Sequence, residues 1–207
     1  MKHSSCKTIG IVKRQYLNDI KKEMFRKSIH ICSAFIPFFL HHFKWPVLVA
    51  LALAVAAYSI AELFRLKGIS IPIVSAVTAA AARKRDENKF VLGPVTLSVG
   101  IIICALLWQP LPAAIGIYAL AFGDGLASLS GKLFGNVQIP LTQGKTAVGS
   151  LTCFAAIFTS CFIASRNAYV SLVVASLGMF IELMPIKDLD NIIIPIALGG
   201  VAQFLLP

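Results

Sequence analysis

Long apolar segments constrain the fold of this chain more than any other feature. Only 14% of the residues are charged, whereas about a quarter are charged in soluble domains, and the mean hydropathy is +0.82. A helix of about 20 mostly apolar residues spans the hydrocarbon core of a bilayer. The chain is therefore predicted to be an all-α, polytopic membrane helix bundle. Seven segments are suitable for membrane-spanning helices, namely 28–43, 46–64, 92–109, 111–131, 147–165, 168–186 and 191–206.

A further apolar stretch, 69–82, is short for a span and has Pro72 near its start. We expect a half-length or interfacial helix there, and a tilted eighth span is the alternative. The dipeptide Trp45-Pro46 is expected to form a turn between the first two spans.

Charged residues indicate how the chain is oriented in the membrane. The chain carries 19 lysines and arginines against nine acidic residues, and cytoplasmic loops carry an excess of basic residues. Because the basic residues are grouped in short loops between apolar segments, they do not indicate a nucleic-acid partner. A cytoplasmic N-terminus and seven spans place nearly all charged loops in the cytoplasm. The opposite side keeps only His41, His42, Lys44 and Arg166. We therefore predict a multi-pass protein whose active site faces the cytoplasm.

Asp124 is the strongest candidate for a functional residue. Its carboxylate lies between Gly123 and Gly125 at the end of an apolar run, and an ionisable group at membrane depth usually marks a cavity or a site. Small residues let another backbone or a ligand approach closely. On a helix, Asp124 shares a stripe with Ala127/Ser128, Gly131 and Gly135. The alternative is that the small residues only allow helices to pack closely, with Asp124 at the end of this contact.

A polar stretch after this segment has features of a phosphate site. Residues Gly144 to Ser150 lead into the next helix, and helix N-termini bind phosphate through backbone N–H groups. The stretch is not a Walker A loop, because Ile139 stands where a glycine is required. Taken alone, it is equally a turn with a helix cap. The predicted nucleotide-binding residues are Lys132, Lys145, Thr146, Gly149, Ser150, Arg83 and Arg85.

Two charged groups at helix ends could bind a lipid headgroup. Glu23, Lys27 and His30 fall on one helical stripe, and Arg26 lies one turn before His30. Basic residues that snorkel to headgroups are the alternative interpretation. Glu62 and Arg65 form an i, i+3 pair that is equally compatible with a structural role. The predicted acceptor residues are Glu23, Arg26, Lys27, His30, Glu62 and Arg65.

Glu182 is an acidic residue inside an apolar run, followed by Asp188, Asp190 and Asn191. Carboxylates on separate helices supply the oxygen ligands that Mg²⁺ shares with phosphates. We therefore predict Asp124, Glu182 and Asp190 as metal ligands. A helix cap is the alternative role for Asp190 or Asn191.

The order of these motifs resembles the polyprenol kinase family, which includes dolichol kinase, phytol kinase and the CTP-dependent diacylglycerol kinases. The segment from Asp124 to Gly149 is also similar to the CTP-dependent phosphatidate cytidylyltransferases, but the chain lacks their basic, aspartate-rich closing signature. The matching strings are Glu23-x-x-Arg26-Lys27-x-x-His30, Ala61-Glu62-Leu63-Phe64-Arg65, Gly123-Asp124-Gly125-Leu126-Ala127-Ser128, Gly131-x-x-x-Gly135, Lys145-Thr146-x-x-Gly149-Ser150, Glu182 and Asp190-Asn191-x-x-x-Pro195.

The resemblance implies Mg²⁺-dependent transfer of the γ-phosphate of a nucleoside triphosphate, CTP or ATP, to the hydroxyl of a lipid. The lipid would be a polyprenol, a phytol-like alcohol or diacylglycerol, and a homo-oligomer is possible. Residues 1–27 would be a basic cytoplasmic segment and 28–207 a single transmembrane catalytic domain. The alternatives are a cytidylyltransferase that acts on a lipid phosphate and a transporter. The expected catalytic residues are Asp124, Glu23, His30 and Lys145.

Overall fold

The computed structural model describes residues 17–18, 20–69, 78, 89–140, 142 and 144–206. Most of the predicted helix 69–82 lies outside these residues, as do Arg83 and Arg85. The described part of the chain confirms the all-α class and contains six helices longer than one turn. They are α1 (Ile20–Leu66), α2 (Gly93–Leu107), α3 (Pro110–Phe134), α4 (Ala147–Ser165), α5 (Ala168–Leu183) and α6 (Asp190–Leu205).

Three of these helices, α1, α3 and α4, are long and apolar enough to cross a membrane. The sequence predicted seven spans. One reason for the difference is that α2, α5 and α6 have only 15, 16 and 16 residues, which is less than the roughly 20 that a perpendicular span needs. The other reason is that the first two predicted segments are counted together in α1, which consists of two helices joined across a kink at Phe43.

A break at Phe43 divides α1 into two helices, two residues before the predicted turn at Trp45-Pro46. Phe43 leaves helical geometry, with φ −139° and ψ 55°, and the second helix runs through Trp45 and Pro46 to Leu66. The first helix contains a 3-10 turn, Ser33–Phe35. Pro46 accounts for the kink, because proline has no N–H and its ring clashes with the preceding turn of a helix. The helix also begins before the predicted first span, so Glu23 and His30 are both helical.

A widened π-helical segment, Ala119–Asp124, interrupts α3 and ends at the candidate residue. Such a segment inserts an extra residue into the helical repeat and is often found at functional sites. It changes the direction in which the second half of α3 presents its side chains. Asp124 lies at this junction and is buried.

The bundle is built around α3, which packs against α4 and α6, while α5 covers α4 and α2 packs against α6. Many large apolar side chains on the outer surface are exposed, including Phe38, Leu53 and Phe180. An exposed apolar surface of this kind is typical of a protein that contacts lipid. The buried core includes Ile101, Cys104, Ile115, Leu120, Ile157, Val174 and Leu198.

Gly100 allows α2 to lie directly on α6. A Cβ atom added at Gly100 would overlap the carbonyl oxygen of Asn191 and lie 3.0 Å from the Cα of Ile192. A Cβ at Gly93, the first residue of α2, would meet nothing within 4 Å. Gly93 is therefore a suitable control position for a substitution at Gly100.

We expect Gly100→Ala to lower the stability of the protein by about 1–3 kcal/mol, since the added methyl group separates two packed backbones. Gly93→Ala is the control and should leave stability nearly unchanged. Thermal unfolding of the purified variants in detergent measures the difference. Equal midpoints for the two variants would contradict the close packing of α2 on α6.

Candidate active site

Four parts of the chain meet around the carboxylate of Asp124. They are the early turns of α1, the residues that open α2, the π-helical end of α3 and the start of α6. The cavity between them, here called the Asp124 pocket, has a volume of about 30 Å³. It can hold an ion or a water-sized group but not a nucleotide. Its polar lining residues are Arg26, Lys27, His30, Asp124, Asp188, Asp190 and Asn191.

A buried ion pair joins α1 to α3 inside this pocket. The ammonium group of Lys27 donates a hydrogen bond to Oδ2 of Asp124, and Nδ1 of His30 lies 3.1 Å from the same oxygen. All three side chains are buried. Since a buried charge is costly unless it is paired, Lys27 and Asp124 stabilise each other. The sequence had assigned Lys27 to the acceptor headgroup and Asp124 to the metal.

The glycines on either side of Asp124 make this approach possible. A Cβ at Gly125 would lie 3.1 Å from Cγ1 of Ile31 on α1, and a Cβ at Gly123 would lie 2.7 Å from Cγ1 of Ile157 on α4. Both distances are too short for unstrained packing. The Gly-Asp-Gly sequence therefore lets α1 and α4 pack closely against opposite sides of α3 while the carboxylate points into the pocket.

A second group of contacts surrounds the carboxylate of Glu23. The hydroxyl of Ser128 donates to Oε1 at 2.5 Å, Lys132 Nζ donates to Oε2 at 2.9 Å, and Arg26 also donates to Oε1. Ser128 and Lys132 follow Asp124 at intervals of four residues and so share its face of α3. The four-residue spacing between Asp124 and Ser128 indicated a shared helix face, although the sequence analysis did not assign Ser128 a role.

Lys145 and Glu182 form a further ion pair, between the residue preceding the cap of α4 and the end of α5. Burial would lower the pKa of Lys145, but the charge and hydrogen bond of Glu182 raise it above the ordinary value, with further help from Asp124 and Asp190. Lys145 is therefore a cation within electrostatic reach of the Asp124 pocket. Among the described residues, no group donates to the buried Oε2 of Glu182.

Several backbone N–H groups at the start of α4 already donate hydrogen bonds within the protein. Thr146 caps the helix, because its hydroxyl accepts from the N–H of Gly149 at 3.2 Å. The N–H of Ser150 donates to the carbonyl of Thr146 and that of Ala147 to the carbonyl of Val137. These donors are not available to phosphate. The proposed nucleotide role of Thr146, Gly149 and Ser150 remains a prediction.

The small-residue stripe on α3 receives the start of α4. A Cβ at Gly131 would lie 2.9 Å from the hydroxyl oxygen of Thr146, and a Cβ at Gly149 would lie 3.0 Å from the carbonyl oxygen of Ala127. Close helix packing therefore accounts for these glycines. It also brings Lys145 to the same end of the bundle as Lys132.

Glu62 fixes the segment that leads into α2. Its carboxylate accepts from Arg65 at 2.8 and 2.9 Å and from the N–H of Val91 at 3.0 Å. Arg65 in turn donates to the carbonyl of Lys89. Val91 lines the Asp124 pocket, but neither Glu62 nor Arg65 does. In the described chain these two residues position a wall of the pocket, and a direct contact with a headgroup remains a prediction.

The predicted metal ligands were tested against the donors that the structure brings together. No group of three or more histidine, cysteine or acidic side chains suited to a metal occurs in the described residues. Asp124 and Asp190 nevertheless line one pocket. The unpaired oxygen of Glu182 is a further buried acceptor. Mg²⁺ is commonly held by one or two carboxylates together with substrate phosphates and water, so these oxygens fit a metal that arrives with a nucleotide.

The structure thus brings most of the predicted site residues to one end of the bundle. Sequence reasoning did not assign a site role to Asn191, which lines the pocket and donates through its side-chain amide to the hydroxyl of Thr96 at 2.9 Å. A polar residue at the start of an apolar helix was the available signal, but it is equally typical of a cap.

Comparison with curated proteins gives relatives over most of the chain. It is 27% identical over 212 residues to a probable phytol kinase 1, chloroplastic, of Glycine max, an alignment that covers 90% of this chain and 68% of the relative. It is 28% identical over 207 residues to phytol kinase 1, chloroplastic, of Arabidopsis thaliana, covering 87% and 66%. A shorter match is to farnesol kinase, chloroplastic, of Arabidopsis thaliana, 31% identical over 72 residues and covering 34% and 24%.

The chain is similar to these phytol kinases over most of its length. This confirms the resemblance noted in the sequence. The chain spans about two thirds of the length of these two relatives. No protein-family model matches it, and no solved structure matches it significantly.

The Lys27–Asp124 pair predicts a specific pattern of stability. Lys27→Met leaves a buried carboxylate without its main partner and should cost about 3–5 kcal/mol. The double variant Lys27→Met/Asp124→Leu removes both charges and should be more stable than Lys27→Met alone. Denaturant unfolding in detergent measures this double-mutant cycle. Additive losses in the double variant would contradict a direct, buried ion pair.

Proposed function

We propose that this protein is a lipid-alcohol kinase, which transfers the γ-phosphate of a nucleoside triphosphate, CTP by preference, to the hydroxyl of an isoprenoid-type alcohol. The observation that carries the proposal is the Asp124 pocket, where carboxylates from α3 and α6 lie beside cations from α1. Phosphoryl transfer depends mainly on positioning and on neutralising charge. Similarity to a phytol kinase and a farnesol kinase supports this choice over a cytidylyltransferase and over a transporter.

In a metal–nucleotide complex, the acidic side chains would suit the metal ion and the basic side chains would suit the phosphates. Asp124 and Asp190 would hold Mg²⁺, with Glu182 as a further oxygen donor. A bound Mg²⁺ ion would neutralise phosphate charge and fix the geometry of the triphosphate. Because the pocket admits only an ion-sized group, the phosphates would lie at its mouth. Lys145 and Lys132, which are 33% and 44% exposed, are accessible there.

The acceptor alcohol would enter beside His30 and Glu23. His30 is the better base, because the oxygens of Glu23 already accept from Arg26, Ser128 and Lys132. The alcohol oxygen would attack the γ-phosphorus and pass its proton to His30. A phosphorus–oxygen bond to the alcohol forms, the bond from the γ-phosphorus to the bridging oxygen breaks, and the nucleoside diphosphate leaves.

The membrane arrangement is part of this proposal. We propose that the seven predicted segments cross the bilayer, with α1 contributing two of them on either side of its kink at Phe43. The basic N-terminal segment 1–27 and the Asp124 pocket would face the cytoplasm, where nucleotide is present, and 28–207 would form one catalytic domain. Acidic side chains of the described chain then lie on one side, which agrees with the charge asymmetry of the loops.

Labelled nucleotides test the reaction. Purified protein with Mg²⁺ should transfer label to phytol, farnesol or a longer polyprenol from γ-labelled CTP, and should transfer none from α-labelled CTP. Parallel assays with γ-labelled ATP and with diacylglycerol measure donor and acceptor preference. Transfer of α-label to a lipid phosphate would instead establish a cytidylyltransferase, and label in no lipid from folded protein would refute the kinase proposal.

Two substitutions test the assigned residues. Asp124→Asn keeps a side chain of similar shape but removes the charge that would hold the metal, so transfer should fall by several orders of magnitude. Lys145→Ala should also reduce transfer strongly and raise the nucleotide KM. Lys67→Ala, on the exposed end of α1, is the matched control and should be nearly normal. Substantial transfer by folded Asp124→Asn would overturn the assignment.

A further inference from the structure

Two cavities lie at successive levels between the same three helices. The Asp124 pocket is lined by the early part of α1, the start of α2 and the end of the π-helical segment of α3. A second cavity of about 430 Å³ lies farther along the same helices. We call it the tail groove, and its lining residues include Pro37, Leu40, Ala105, Trp108, Ala114 and Tyr118.

The spacing of the lining residues places the two cavities along one seam. On α1, His30 lines the pocket and Pro37, seven residues later, lines the groove, so both lie on one face of the helix. On α2 the corresponding residues are Leu97 and Ala105. On α3, which runs in the opposite direction, Asp124 lines the pocket and Ala114 lines the groove. The small buried side chain of Ser33 lies between the two levels on α1.

We propose that the tail groove binds the hydrocarbon chain of the acceptor alcohol while the hydroxyl reaches the Asp124 pocket, an assignment that rests on the proposed function. The volume of the groove is in the range of single small-molecule sites, and its walls are mainly apolar. From His30 to His41, which also lines the groove, the helix rises by roughly 16 Å, at about 1.5 Å per residue. The seam therefore suits one long, unbranched or isoprenoid chain.

A larger groove of about 700 Å³ between α3 and α4 is the competing binding site for the hydrocarbon chain of the alcohol. Phe122 and Leu126 line it, and each is two residues from Asp124. Two residues correspond to about 200° around a helix, so these side chains lie on the side of α3 away from the carboxylate. A chain bound there would leave its hydroxyl on the wrong face of α3.

Ala114 is the residue of the tail groove best placed to set the length of chain accepted. It lies ten residues from Asp124 along α3, or roughly 15 Å at the rise of an α-helix. A phenylalanine at this position would fill the distal part of the groove. A short alcohol would not reach this level, whereas a long one would lose buried apolar contacts, each methylene contributing several-fold in affinity.

The experiment compares geraniol, farnesol and geranylgeraniol, isoprenoid alcohols of increasing length, as acceptors for the full chain. Ala114→Phe should raise the KM for geranylgeraniol by about tenfold or more and leave that for geraniol nearly unchanged. Retained transfer to geraniol also shows that the variant is folded. Ala156→Phe, which fills the α3–α4 groove, is the matched control and should not alter the length profile. An unchanged profile in Ala114→Phe, or a shifted one in Ala156→Phe, would overturn the assignment.

Binding of the hydrocarbon chain can also be measured without turnover. A geranylgeraniol analogue with a photoactivatable group at its distal end should crosslink to peptides containing 37–44 or 105–114 in the wild-type protein. Crosslinks confined to 152–164 would place the chain in the α3–α4 groove and overturn the inference. Wild-type protein that crosslinks in the tail groove but transfers no phosphate would support the binding site and refute the kinase proposal, so the two failures are distinguishable.

Discussion

The Lys27–Asp124 ion pair determines how the rest of the site is arranged. Each charge is buried, and neither could remain so without the other, because an isolated buried ion costs several kcal/mol. The pair therefore holds α1 against α3. The same alignment brings Glu23 to Ser128 and Lys132, and it requires the glycines that let α1 and α4 approach Asp124. The ion pair also explains how a kinase could keep its charges ready in the absence of substrate. Asp124 is the proposed ligand for a metal ion, so a bound metal ion would take over from Lys27 the role of a positive partner for this carboxylate.

Much of this fold could be predicted from the sequence, because apolar segments of helical length are a strong signal. The bounds of α4, Ala147–Ser165, agree with the predicted segment 147–165. Asp124 could also be identified as a site residue, since a carboxylate in an apolar segment needs a partner or a ligand. The kink at Phe43 was less predictable. A proline after a tryptophan is compatible with either a turn or a bent helix, and only packing decides between them.

The partners of the charged residues could not be predicted in the same way. Lys27 and Asp124 lie on helices far apart in sequence, and their pairing depends on how α1 and α3 cross. The glycines after Asp124 gave an ambiguous signal for a related reason. Small residues permit either a ligand or a neighbouring helix to approach, and at Gly131 and Gly149 the structure shows that the neighbour is a helix. The start of α4 likewise resembled a phosphate site, but Thr146 and neighbouring carbonyls already accept from several of its N–H groups.

A kinase with a lipid acceptor has to bring a water-soluble nucleotide and a membrane-embedded alcohol to the same few atoms. The exposure of the cations suits the first task, because Lys27 and Arg26 are 4% and 14% exposed, whereas Lys145 and Lys132 are 33% and 44% exposed. A phosphate chain arriving from water would meet the exposed cations before the buried ones. The apolar seam between α1, α2 and α3 suits the second task, since it approaches Asp124 from the interior of the bundle. Under this proposal Asp124 and His30 lie where the two routes meet, and their burial would limit the access of water, the competing acceptor for a phosphoryl group.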